Sequence, residues 1–95
     1  MGFKIGDLVR VKTCYELLNE GYYFETVDGA TMLFFPLCSE QRHRVAFYED
    51  EMDVFGEEIT ISEINTLKNP LLYANGLTPN GKFIEFVPLA ALERI

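Results

Sequence analysis

The 95-residue sequence has no tryptophan, one histidine and two cysteines, and it has few basic residues. Eight Lys and Arg against fifteen Asp and Glu give a formal net charge of -7, which disfavours binding to the phosphates of DNA or RNA. No apolar run approaches the ~18 residues that span a bilayer, and no basic segment followed by an apolar one opens the chain. We therefore expect neither a membrane-spanning segment nor a secretion signal.

The two cysteines, Cys14 and Cys38, could form at most one intramolecular disulfide. Small secreted domains usually carry several disulfides because their cores are modest. This cysteine usage favours two reduced thiols in a cytoplasmic protein. The chain length matches one domain, and 48% hydrophobic with 24% charged residues is the composition of a folded globular protein.

Alternation of apolar and polar side chains predicts two strands. In residues 8–12 the alternation places Val9 and Val11 on one face and the basic side chains on the other. Residues 58–62 combine the same alternation with β-branched side chains. Both segments are therefore predicted to be half-buried strands.

Glycine-containing dipeptides predict the turns between further strands. Asp-Gly at 28–29 predicts a hairpin between 22–24 and 32–35, and Asn-Gly at 75–76 and 80–81 predicts two further turns. Residues 15–21 could form one helical turn, but isolated helices of this length are marginal. We treat that segment as part of a loop.

The remaining strand-ending and turn-forming residues support a small all-β fold. Pro36 disfavours a continued central strand, and extended structure resumes at 44–48, while residues 88–92 predict a single helical or 3₁₀ turn before a final short segment. Five or six short strands with no sustained helical period predict a single all-β domain over residues 1–95 that closes or nearly closes on itself.

Three segments resemble a known family. Residues 3–11 (FKIGDLVRV) resemble the opening strand of small SH3-like barrel proteins of bacterial and phage genomes. Residues 52–61 (MDVFGEEITI) and 86–95 (FVPLAALERI) are similar to an internal segment and to the closing strand, 3₁₀ turn and strand of that fold. The resemblance implies an SH3-like barrel with an enlarged loop insertion at about 15–44. Because tryptophan is absent, we do not expect recognition of proline motifs.

The sequence offers little support for catalysis or metal binding. His43 is flanked by two arginines, and Cys38 followed by Ser39 is the only candidate nucleophile near it in sequence; neither has an evident orienting carboxylate. An acidic calcium loop starting at Glu51 would require an oxygen ligand where Phe55 stands and a bidentate carboxylate where Ser62 stands. We expect no enzyme, no metal and no cofactor.

The acidic run beginning at residue 49 has two interpretations. It is either a solvated segment that keeps the protein soluble, or a surface that binds a partner whose Arg and Lys side chains otherwise hold phosphates. The residues predicted to bind such a partner are acidic or aromatic: Glu49, Asp50, Glu51, Asp53, Phe55, Glu57, Glu58, Tyr22 and Tyr23.

Two hypotheses for the function follow from the composition and from the resemblance to phage-encoded barrels. The first is a non-enzymatic interaction module with an acidic and aromatic surface that binds a basic protein. In its sharpest form it is a phage or mobile-element inhibitor of the anti-CRISPR or anti-restriction type, which blocks a nucleic-acid-binding surface of a bacterial host protein. The second is a structural or accessory protein that self-associates through apolar residues such as Phe34 and Phe35, the acids serving only solubility.

Overall fold

A computed structural model describes residues 2–36, 45–66 and 72–95. The described residues are mostly β, in two antiparallel sheets. The strands are β1 (Leu8–Val11), β2 (Tyr23–Val27), β3 (Ala30–Phe34), β4 (Val45–Phe47), β5 (Glu58–Thr66), β6 (Leu72–Leu77), β7 (Phe83–Pro88) and β8 (Leu92–Arg94). One α-helix, α1 (Cys14–Asn19), and two 3₁₀-helices (Glu49–Val54 and Leu89–Ala91) complete the secondary structure of this part. None of these helices is long and apolar enough to cross a membrane.

The chain divides into two compact units. The first unit contains Met1–Lys12 and Gly56–Ile95, and the second contains Thr13–Phe55. The second unit starts two residues before the insertion expected at about 15–44 and continues beyond it. The prediction of one domain over 1–95 is not tested by this division and stays a prediction.

The first unit is a five-stranded antiparallel sheet with the order β7-β6-β5-β1-β8. Alternation along β1 buries Val9 and Val11, and β5 contributes Ile59 and Ile61 to the same core, which confirms the two strands predicted from alternation. The 3₁₀-helix before β8 confirms the predicted turn near the C-terminus. The all-β class is thus confirmed, whereas closure into an SH3-like barrel is not shown: in the described residues, strand pairing leaves β7 and β8 as the two edges.

The predicted turn at 75–76 is wrong, because both residues lie inside β6. Asn75 is buried, donates from Nδ2 to Oε1 of Glu63 (2.8 Å) and accepts from the backbone N–H of Phe86 (2.9 Å). A Cβ atom on Gly76 would lie 2.6 Å from the carbonyl oxygen of Thr60. The glycine therefore permits close approach of two strands, and the asparagine satisfies polar groups beside a bulge. The other Asn-Gly pair, at 80–81, does lie in a turn.

The loop expected at 15–21 is also wrong, because its first part belongs to α1. Thr13 is the N-cap: its hydroxyl accepts from the backbone N–H of Glu16 (3.2 Å), and the Glu16 carboxylate accepts from the N–H of Thr13 (2.8 Å). This capping box satisfies two of the donors that a helix start leaves open. Burial of Leu17 anchors the short helix.

The hairpin predicted at 28–29 is confirmed in the second unit. Asp28 and Gly29 both have positive φ (52° and 82°), as a type I′ turn requires, and Val27 pairs with Ala30 on either side of them. The sheet order is β2-β3-β4, so β3 lies in the middle. A bulge between β3 and β4 interrupts the register after the Leu33 and Phe47 pair.

Candidate functional site

The acidic residues 49–53 lie in the 3₁₀-helix Glu49–Val54. Val54 anchors this helix because its side chain is buried. A 3₁₀-helix has three residues per turn, so Asp50 and Asp53 lie on the same face. Both are exposed.

Two of the acidic side chains bind the backbone of their own unit. The Glu51 carboxylate accepts a hydrogen bond from the N–H of Tyr48 (2.8 Å), where the 3₁₀-helix begins. The Glu49 carboxylate accepts from the N–H of Thr31 in β3 (3.0 Å). Glu49 and Glu51 therefore stabilise the local structure in addition to carrying charge.

An open groove of about 630 Å³ lies between β3 and the 3₁₀-helix, lined by Ala30, Met32, Tyr48, Glu49 and Asp50. The register pairs Glu25 of β2 with Met32, so Glu25 lies on the same face of the sheet. We call these six residues the acidic groove. Its floor is apolar, and Glu49 and Asp50 supply two carboxylates to its lining. Glu25 adds a third carboxylate on the same sheet face, opposite Met32, and Tyr48 is exposed. This combination suits a lysine or arginine side chain, whose apolar stem can contact Met32 while its charge meets carboxylates.

The two tyrosines predicted to bind a partner differ in exposure. Tyr22 is 4% exposed, and its ring lies 5.3 Å from that of Phe35, so it belongs to the core of the second unit. Burial, with a smaller contribution from the Glu20 carboxylate, raises the pKa of Tyr22 to about 12. Tyr23 is half-buried and its ring stacks on that of Phe34 at 5.6 Å. Burial and then Glu25 raise the pKa of Tyr23.

Of the other aromatic side chains of the second unit, Tyr15, Phe24 and Tyr48 are exposed, and the four remaining phenylalanines are buried or half-buried. Phe55 is half-buried, and its ring meets that of Phe47 edge to face at 4.9 Å. Phe34 and Phe35, which the self-association hypothesis places at a contact surface, are both buried. In this structure they offer little surface to a second copy.

Glu57 and Glu58 belong to the first unit, not to the unit that contains the acidic groove. Both are exposed, but Glu58 lies directly opposite Arg10 in the register of β1 and β5. Arg10 also forms an ion pair with Glu93 on β8. A basic side chain of the chain itself therefore partly offsets the charge of Glu58.

The net charge is distributed unequally between the two units. Thr13–Phe55 contains nine acidic residues and two arginines, which gives a formal charge of -7, and the rest of the chain contains six acidic and six basic residues. The whole net charge of the protein thus belongs to the second unit. Both of its arginines, Arg42 and Arg44, fall outside the described residues.

Sequence reasoning missed four of the six residues of the acidic groove: Glu25, Ala30, Met32 and Tyr48. The signal was available for two of them, because a two-residue turn at 28–29 fixes the hairpin register and so pairs Glu25 with Met32. The position of Tyr48 depends on where the 3₁₀-helix begins, which no local pattern specified.

The catalytic candidates Cys38, Ser39 and His43 lie outside the described residues, and the expectation that the chain is not an enzyme stays a prediction. Cys14 is a free cysteine at the start of α1. Within residues 2–36, 45–66 and 72–95, no group of three or more His, Cys, Asp or Glu side chains could hold a metal ion.

Comparison with known proteins identifies no relative. No family model matches the chain, and neither a curated protein nor a solved structure matches it significantly.

Proposed function

We propose that the chain is a non-enzymatic interaction module, cytoplasmic in a bacterial host, whose second unit binds a basic surface of another protein. The unequal charge distribution is the observation that carries this proposal. Solubility alone needs only a modest net charge spread over the surface. Concentrating all of it on Thr13–Phe55 instead creates a strong local field, which speeds encounter with a positively charged partner and disfavours negatively charged ones.

In the sharper form of the proposal, the basic surface is one that normally binds nucleic acid. Carboxylates can occupy Arg and Lys sites that otherwise hold phosphates. Asp50 and Asp53 supply two exposed carboxylates on one face of the 3₁₀-helix, and the acidic groove adds an apolar floor beside them. The acidity and the resemblance to phage-encoded barrels support a phage or mobile-element inhibitor of a host protein.

We further propose that the first unit is an SH3-like barrel that serves as the scaffold. Its support is the strand order: β8, β1, β5, β6 and β7 are successive antiparallel neighbours, and a 3₁₀-helix separates β7 from β8. The second unit follows β1 directly, which is where the resemblance places the enlarged insertion.

The test uses two variants that change the net charge equally but in different units. The first carries Asp50→Lys and Asp53→Lys, and the control carries Glu57→Lys and Glu58→Lys. Each protein is immobilised, incubated with bacterial lysate, and washed at increasing salt. We expect the wild type and the control to retain a basic protein that competing DNA fragments displace, and the first variant to retain at least tenfold less.

The partner is then purified, and its affinity for the three proteins is measured by titration calorimetry at low and at high salt. Binding through the carboxylates of the second unit must weaken as the salt concentration rises. Equal affinity of the first variant and the wild type would remove Asp50 and Asp53 from the interface.

Self-association is the second candidate function, and a surface of the first unit favours it. The register aligns Leu8, Thr60, Leu77 and Phe83 in one row across four strands. All four side chains are exposed, and three are large and apolar. Because the first unit has no net charge, two copies could meet there without strong repulsion. A dimer in light scattering that dissociates on Phe83→Ser would favour this candidate.

A further inference from the structure

The outer edge of β2 is an open strand edge. β2 is the outermost strand of the second unit's sheet, and the residues after Tyr23 are all exposed. In the described part of the chain, no strand pairs with that side. Edge strands present backbone N–H and C=O groups to which another extended chain can bond.

The hairpin geometry determines which backbone groups face outward. A two-residue turn makes Val27 and Ala30 a hydrogen-bonded pair, so the next pair, Thr26 and Thr31, is not bonded across the ladder. The bond from the N–H of Thr31 to Glu49, away from β2, agrees with this alternation. By the same alternation, Phe24 and Thr26 direct their N–H and C=O groups outward. The edge therefore offers two donors and two acceptors.

One face of the sheet ends in an incomplete apolar row at this edge. The register aligns Phe47, Leu33 and Phe24, one on each strand. Phe47 is 2% exposed and Leu33 is fully buried, but Phe24 at the edge is 42% exposed. An apolar side chain opposite Phe24 on an added strand would extend this row and cover the ring.

The other face of the same edge is acidic. Glu25 lies between Phe24 and Thr26 in the strand, and its side chain points to the face that carries the acidic groove. A residue opposite Glu25 on an added strand would therefore point toward that groove, where a lysine or arginine fits. A second copy of this chain would be a poor source of the added strand. Its own Glu25 and the seven excess negative charges of its second unit would face the same negative charges of the first copy.

We propose that the outer edge of β2 binds an extended segment of a partner protein as an added antiparallel strand, and that this segment alternates basic and apolar residues. The proposal rests on the proposed function and specifies its binding mode. Backbone bonds to Phe24 and Thr26 supply the pairing, apolar side chains cover Phe24, and basic side chains face Glu25 and the acidic groove.

The test measures peptide binding to the whole chain by fluorescence anisotropy. The probe is a labelled, capped peptide of alternating lysine and valine, seven residues long, and its composition control has the same residues in two blocks. We expect the alternating peptide to bind at least tenfold more tightly. Two methylated forms then locate the backbone bonds. N-methylation of the valines, which face Phe24 and Thr26, should weaken binding at least tenfold, whereas N-methylation of the lysines should leave it unchanged.

A protein variant tests the same edge from the other side. Thr26→Pro removes an outward N–H that the ladder to β3 does not use, and Thr26→Val keeps that N–H. We expect the proline variant to lose at least tenfold in affinity and the valine variant to bind as the wild type does. If the proline variant does not fold, the two methylated peptides still test the proposal, because they are measured against the wild-type protein.

No binding of the alternating peptide at millimolar concentration, or equal affinities of the two methylated forms, would overturn the proposal. The charge-reversal variants test the proposed function separately. Suppose that Asp50→Lys with Asp53→Lys abolishes partner binding while the two methylated peptides bind equally. The proposed function would then be supported, and the proposal of an added strand on β2 would be wrong.

Discussion

Replacing Asn75 with alanine is expected to lower the free energy of unfolding by about 2 to 4 kcal/mol. The side chain is buried and makes two hydrogen bonds, to the Glu63 carboxylate and from the N–H of Phe86. A bond to a charged group contributes about 1.5 to 3 kcal/mol and a neutral one about 0.5 to 1.5 kcal/mol. Alanine would remove both and leave the N–H of Phe86 without this acceptor.

The conformation of Phe86 explains why the second of these bonds matters. Its φ is 58°, in the left-handed region that costs a non-glycine residue about 1 to 2 kcal/mol. The bond from its N–H to Asn75 helps to hold this conformation, and an edge-to-face contact with Tyr73 at 6.3 Å adds to it. Loss of the bond should therefore loosen β7 locally as well as lower global stability.

Urea denaturation followed by circular dichroism measures the effect, and a double-mutant cycle with Glu63→Ala isolates the side-chain pair. We expect the double variant to be at least about 0.5 kcal/mol more stable than the sum of the single effects predicts, because the two residues share one bond. Asn65→Ala, an asparagine on the neighbouring strand with an intermediate exposure, is the control and should cost less than about 0.5 kcal/mol. Equal effects of Asn75→Ala and Asn65→Ala would refute the structural role of Asn75.

Two further predictions concern stability. Gly76→Ala should lower the free energy of unfolding by about 1 to 3 kcal/mol in the same denaturation assay, because its Cβ would lie 2.6 Å from a backbone oxygen of Thr60. Gly2→Ala, with open space around it, is the control and should change the free energy of unfolding little. Similar changes for the two variants would contradict the prediction. The raised pKa of Tyr22 means that the unfolded chain loses this proton near pH 10 and the folded chain only near pH 12. Stability should therefore fall by about 1 to 2 kcal/mol between these pH values, after a discount for solvent screening. Tyr22→Phe should flatten that fall, and an unchanged pH profile would show that Tyr22 is not its cause.

The parts of the fold that follow from local chemistry were predictable. Alternation placed β1 and β5, and the Asp-Gly pair at 28–29 placed the hairpin, because positive φ at two successive residues is a property of the turn itself. The capping box of Thr13 and Glu16 was equally local, and recognising it would have predicted α1. That error was avoidable.

The error at 75–76 was not avoidable in the same way. Both Asn-Gly pairs look alike in sequence, and only one lies in a turn. What separates them is tertiary: a carbonyl oxygen from β5 lies too close to Gly76 for a side chain, and Asn75 bonds to residues on two other strands. No pattern within a few residues of 75 contains that information.

The candidate site shows the same division between local and tertiary information. The sequence located the acidic run, but it could not show that Glu49 is held by a backbone donor of β3 or that Tyr22 is buried. It also could not assign charge to units before their boundary near residue 55 was known. Composition therefore predicted an acidic protein, and the structure was needed to assign the net charge to one unit.

Concentrated charge has a cost that bears on the proposed function. Like charges within one compact unit repel, and this repulsion destabilises the unit. Hydrogen bonds from backbone N–H groups to the carboxylates of Glu49 and Glu51 offset part of this destabilisation. Glu25, in contrast, lies on an open strand edge, and Asp50 lines an open groove. If solubility were the only requirement, the neutral first unit could have carried some of the excess at less cost. A partner that brings positive charge to the β2 edge and the acidic groove would relieve the repulsion on binding, which is why we place the interface there.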